Sequence, residues 1–164
     1  MWCRFSPAPY FFMNCMICSF FGHSKIDDYD AVYKIAYDAI LQKIVDGFRI
    51  FYFGGFGDFD FMCHKIVSKI KYENPQYSIQ RIFCVPQEKD LRKLKAWQNK
   101  DNYEEIIYLQ PNFDYWYKSI YYRNCAMIDN SSHIIFYVVR KCNSGAYKAL
   151  SYAKSHKKEY TLLK

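Results

Sequence analysis

The sequence predicts an α/β fold: a single Rossmann-like domain with a largely parallel sheet and helices on both faces. Three observations predict it. Apolar, β-rich runs alternate with stripes of helical period along the chain. No repeat, low-complexity tract or linker breaks the alternation. Glycine or small-residue turns follow the first, second and fifth strand runs. A doubly wound sheet places its ligands at such strand ends.

The elements follow in order. Cys15 to Phe21 reads as a buried strand ending at Gly22. Asp27 and Asp28 offer an N-cap to a helix carrying Val32, Ile35, Ala36, Ala39, Ile40 and Ile44, which Gly47 ends. Arg49 to Phe53 is the second strand, and a glycine turn follows it. Phe61, Cys63, Ile66, Val67 and Ile70 form the next helical stripe, stopped by Asn74-Pro75. Ser78 to Val85 is the third strand, and Leu91 to Gln98 a short polar helix. Glu105 to Leu109 is the fourth strand, and Tyr115 to Ile128 an aromatic-rich helix. His133 to Val139 is the fifth strand. A turn at Asn143-Ser144-Gly145 leads to a helix with Ala146, Ala149, Leu150 and Ala153, and Tyr160 to Leu163 is the last strand. Residues 1–12 show no period and read as an N-terminal appendage, so the domain spans 13–164, with Met13 or Met16 as its start.

Composition narrows the function classes. With 51% hydrophobic and 24% charged residues the chain is globular rather than disordered. Its 164 residues suffice for one domain with a core. The net charge of +7 favours anionic partners. The lysines are scattered, however (Lys65, Lys69, Lys71; Lys93, Lys95; Lys154, Lys157, Lys158), which disfavours a nucleic-acid stripe. Seven cysteines, with Cys18, Cys63, Cys84 and Cys125 inside apolar runs, suit a reducing cytoplasm. Cys15-Met-Ile-Cys18 lacks a second pair and reads as core strand rather than metal or redox site. Phe11 to Phe21 is too short for a membrane span and lacks a signal-peptide cleavage site. A cytoplasmic protein is expected, with no membrane, metal or cofactor.

The candidate site lies at the carboxyl ends of the strands. Phe53-Gly-Gly-Phe-Gly-Asp-Phe-Asp60 is a strand, a glycine turn and a helix start. Such a turn bares backbone N–H groups to a phosphate, and ordinary strand–helix joints use it too. Gly22, His23, Ser24 and Lys25 follow the first strand. Gly54, Gly55, Gly57, Asp58 and Asp60 follow the second. Arg140 and Lys141, then Ser144 and Gly145, follow the fifth. Three helix N-termini are thus expected at one crevice, near Arg123-Asn124, which suits a phosphorylated ribose ligand. Asp60 or Asp129 would accept from ribose hydroxyls, and Tyr115, Trp116 or Tyr121 would stack on a base. Structural roles stand beside these: His23 bonding a neighbouring loop, Asp60 capping its helix, Arg123 pairing with Asp129 or Asp114, and the Tyr115 to Tyr122 aromatics packing.

These segments resemble the SLOG superfamily, which includes YpsA-like proteins, DprA and the Lonely Guy phosphoribohydrolases. Phe20-Phe-Gly-His-Ser-Lys-Ile26 resembles the Phe-Gly-His-Arg strand end of YpsA-like proteins. Phe53 to Asp60 resembles their Gly-Gly-x-x-Gly-x-Asp turn. Tyr122 to Ser132 resembles their Arg-Asn-x-x-Met-(Ile/Val)-Asp segment. Ser144 to Ala153 resembles their Gly-Gly-Thr or Ser-Gly-Thr helix start. The four matches run in order through most of the chain. The resemblance implies a nucleotide site at Gly22, His23, Gly54, Gly55, Asp60, Arg123, Asn124, Ser144 and Gly145; Ser24 and Gly57 lie in the same turns. It implies a homodimer by analogy. Ser24 stands where many relatives have Arg, and Ala146 where they have Thr. Ala149 stands where the Lonely Guy enzymes place a catalytic Glu, so the acid of that chemistry is absent there.

The expected function is therefore non-enzymatic binding of a nucleotide or nucleotide-derived ligand, as a sensor or sequestering module, with no catalytic residue assigned. A phage or prophage sponge is one such role. The alternative is a nucleoside-monophosphate N-glycosidase with its acid supplied by Glu88, Asp58 or Asp60. DprA-like nucleic-acid binding and regulation through a protein partner are further alternatives.

Overall fold

The computed structural model describes residues 16–88, 102–109, 115–139 and 143–164. The elements are β1 (Ile17–Gly22), α1 (Tyr29–Val45), β2 (Ile50–Phe53), α2 (Asp58–Glu73), β3 (Gln80–Val85), β4 (Glu105–Tyr108), α3 (Trp116–Asn130), β5 (His133–Tyr137), α4 (Gly145–Ser155) and β6 (Tyr160–Leu163). All strands run parallel in one six-stranded sheet of order β4-β3-β2-β1-β5-β6. Strand order reverses between β1 and β5, and in an open α/β sheet that reversal opens a crevice at the carboxyl edge. The fold is the expected Rossmann-like α/β domain.

Alternation along the strands divides the core. Cys18, Phe20, Phe51, Phe53 and Phe83 face α1 and α2, meeting Ile40, Ile44, Met62 and Ile66. Phe21, Ile82, Cys84, Ile134 and Phe136 face α3 and α4, meeting Met127, Ile128, Leu150 and Ala153. Helices therefore cover both faces; the inner strands β1, β2, β3 and β5 are largely buried on both sides, whereas the edge strands β4 and β6 stay partly exposed. Phe20 stacks on Phe51 and Phe53 with centroids 6.0 and 5.2 Å apart. A fully buried ring of this kind stabilises by about 1.5–3 kcal/mol. The four described cysteines, Cys18, Cys63, Cys84 and Cys125, are free and buried. Burial pushes the Cys18 and Cys84 thiols far up, so they behave as small apolar groups.

Element boundaries depart from expectation where local backbone chemistry intervenes. Ser78 was expected to open the third strand. Instead Pro75–Tyr77 form a short 3₁₀ turn, and Ser78 closes it in the left-handed region at φ 52°. The strand then starts at Gln80. β5 ends at Tyr137 rather than Val139. The expected helix at Leu91 to Gln98, residues 1–12, Cys15, Asp114, Arg140 and Lys141 lie outside the described residues.

Candidate functional site

A cavity of about 210 Å³ opens at the strand-order reversal. Gly22, His23 and Ser24 reach it from the end of β1, Gly54 and Asp60 from the β2–α2 joint. Arg123 and Asn124 come from α3, and Ser144 and Gly145 from the start of α4. Of the residues expected from sequence, Gly55 and Gly57 do not line it.

The Gly54–Gly57 turn is closed by the protein itself. The N–H groups of Gly54 and Gly55 donate to the two carboxylate oxygens of Asp60 at 2.9 and 2.8 Å. A carboxylate thus occupies the place expected for a phosphate. Asp58 N–H donates to the Ser24 carbonyl at 3.0 Å, and Asp58 adds a second acid to the first turn of α2. These carboxylates repel an anion from that helix start. The Gly54 and Gly55 amides expected to hold a phosphate are thus engaged by Asp60. Asp60 does not cap its helix; its carboxylate closes the turn before it.

Arg123 locks the same turn from the other side. It is 2% exposed, and burial lowers its pKa. Its Nη1 donates to the carbonyls of Gly54 and Cys84 at 2.7 and 2.9 Å, and its Nε donates to Asn124 Oδ1 at 2.9 Å. One arginine thus ties α3 to the ends of β2 and β3. The surface pairing expected with Asp129 does not form; Asp129 instead accepts from Tyr152 Oη at 3.0 and 3.1 Å. No such partner engages Arg123 Nη2 among the described residues. Burial lifts the Asp60 carboxyl to about 6, against the pull of the Gly54 amide and of Arg123. A buried carboxylate and a buried guanidinium therefore stand together at the cavity, Asp60 being 6% exposed.

Packing accounts for most of these glycines. A Cβ on Gly22 would overlap the Phe59 ring. A Cβ on Gly54 would sit 3.0 Å from Arg123 Nη2. Gly57 has φ 88° with Ser24 Cα in the way at 2.8 Å, and Gly55 has φ 70°. His23 has a structural role of the kind expected from sequence: its Nε2 accepts from Val139 N–H at 3.1 Å, and its own N–H donates to Tyr137 O at 3.2 Å.

The α4 start differs. Ser144 caps it with a neutral hydroxyl that accepts from Tyr147 N–H at 3.1 Å. The first helical amides, Gly145 and Ala146, have no acceptor within the helix. A Cβ on Gly145 would meet nothing within 4 Å. Of the three expected helix N-termini, α1 carries its own carboxylate cap, Asp28, bonded to Ala31 N–H at 3.1 Å. Among the described residues, no bond engages the Gly145 and Ala146 amides of α4 at the cavity.

An open groove of about 1080 Å³ runs on from the cavity between α3 and α4, sharing Ile120, Asn124 and Gly145 with it. Tyr121 lies in this groove rather than in the cavity. The packing expected for the Tyr115 to Tyr122 aromatics is corrected: Tyr115, Tyr117, Tyr121 and Tyr122 are exposed. Sequence reasoning missed Phe56, 65% exposed at the cavity rim, although a large apolar residue at the tip of a glycine turn was a usable signal. It also missed Tyr147, whose place in the groove follows from its position one turn into α4.

No described helix is long and apolar enough to cross a membrane. Among the described residues no cluster of His, Cys, Asp and Glu has the makings of a metal site. No protein-family model and no curated protein matches the chain.

Proposed function

We propose that the chain binds a nucleotide or nucleotide-derived ligand non-enzymatically, by its phosphate, at the start of α4. The observation that carries this is the open approach to Gly145 beside the Arg123 guanidinium. Helix N-terminal amides and an Arg123 Nη2 that no described residue engages favour the same anion. Resemblance to SLOG proteins supports a sensor or sequestering role in the cytoplasm. Calorimetry against inorganic phosphate, AMP, cyclic mononucleotides and ADP-ribose tests it. Binding that Gly145→Ala weakens supports the reading; no binding of any ligand at millimolar concentration removes it.

A second reading, N-glycosidase activity, draws on Asp60. A carboxyl lifted to about 6 beside the cavity has the acidity of a general acid. Both of its oxygens already accept from glycine amides, however, which favours a structural carboxylate. Ala149, where the resemblance would call for Glu, is buried in the core. Release of free adenine from AMP, followed by chromatography and lost in Asp60→Asn, would favour the enzyme instead.

A further inference from the structure

We infer that the ligand extends beyond one nucleotide, with a second phosphate-linked ring unit, as in a dinucleotide, lying in the groove between α3 and α4. The inference rests on the phosphate reading above. Size is the first argument. The cavity of about 210 Å³ falls below the ~300–1,000 Å³ of ordinary ligand pockets, so it takes only one end of such a ligand. The groove supplies the missing volume, and the shared Ile120, Asn124 and Gly145 make the two spaces continuous at the anion-binding amides.

Chemistry is the second argument. Tyr117, Tyr121, Tyr147 and Tyr152 line the groove and offer flat faces to a base. Lys118 and Lys148 line it as well, and among the described residues no Asp or Glu does. An aromatic and cationic wall complements a ring joined to a second negative charge. The Arg123 and Gly145 end holds the first phosphate, and the lysines meet the second.

The test compares AMP with diadenosine diphosphate by calorimetry at fixed ionic strength, on the wild-type chain and on Lys118→Glu/Lys148→Glu. Both lysines are exposed, so the double variant keeps the fold. The dinucleotide should bind at least about tenfold more tightly than AMP, and the double variant should erase that gap while leaving AMP affinity in place. Equal affinity of the two ligands for the wild-type chain overturns the extended ligand and leaves the phosphate reading standing. Failure of both ligands to bind overturns both. Sedimentation of the same samples supplies a further outcome. A wild-type dimer that the double variant dissociates assigns the groove to a second copy of the chain and overturns the inference.

Discussion

The two glycine turns of this molecule look alike in sequence and are opposites in structure. The Gly54–Gly57 turn is filled from inside: Asp60 takes its amides, Arg123 takes its carbonyl, and its glycines answer to close neighbours or positive φ. The Ser144–Gly145 turn is open among the described residues: a neutral hydroxyl caps it, and a Cβ on Gly145 would meet nothing within 4 Å. The difference teaches that a glycine is evidence for a ligand only where the protein itself has no use for the missing Cβ. The closed turn builds the wall of the cavity, and the open turn faces into it.

That contrast can be broken at several points. Arg123→Ala should have the largest effect. It strands the Gly54 and Cys84 carbonyls and removes the cation beside Asp60, for a loss of about 3–5 kcal/mol in urea unfolding. A loss below 1 kcal/mol would show that the closed turn does not depend on its arginine. Gly57→Ala comes next, at roughly 2–3 kcal/mol, because Ala must adopt φ 88° against Ser24.

Asp60→Asn should cost about 1–3 kcal/mol at pH 7, since an amide cannot accept from both glycine N–H groups as the carboxylate does. It should also change the pH profile. In the folded chain Asp60 titrates near 6, above its unfolded value, so the folded state holds the extra proton between about 4 and 6. Through that window acidification relieves the cost of the buried charge and favours folding. His64 acts the other way. Burial lowers its pKa to about 4, so stability is lost as pH falls from about 6.5 to 4. In wild type the two contributions oppose each other. Asp60→Asn leaves His64 unopposed, so the stability lost between pH 7 and pH 5 should be greater than in wild type. An equal loss would mean that Asp60 is not held as a buried carboxylate.

Gly145→Ala should have the smallest effect on folding, within about 0.5 kcal/mol, because its Cβ meets no protein atom. Its effect on phosphate ligands should be the opposite, a loss of at least about tenfold from a methyl group placed over the amides. A variant that unfolds, or that binds as wild type does, would erase the contrast between the turns.

The layered fold was legible because its signals are periodic. The Val32, Ala36, Ile40 and Ile44 stripe could bury only one face of a helix, and those four residues are buried as that stripe requires. The site was legible as a neighbourhood, since strand ends must converge wherever the strand order reverses. Occupancy of its donors was not legible. Asp60 lies close to Gly54 in sequence, and nothing in residue order tells a carboxylate turned back onto its own turn from one turned outward. Arg123 posed a harder case. Its bonds to Gly54 and Cys84 span 69 and 39 residues, a tertiary arrangement that local pattern does not encode. The exposure of Tyr121 was hidden for a related reason: an aromatic on an amphipathic helix reads as core until the partner helix is seen to leave a groove.

The central claim is that a phosphate binds at the start of α4 and not at the Gly54 turn. Titration of the ¹⁵N-labelled chain with AMP, followed by amide chemical shifts, tests it most directly. The amide signals of Gly145 and Ala146 should move in a saturable way, while those of Gly54 and Gly55, already bonded to Asp60, should stay in place. Saturable shifts at Gly54 and Gly55 with Gly145 and Ala146 unmoved would contradict it.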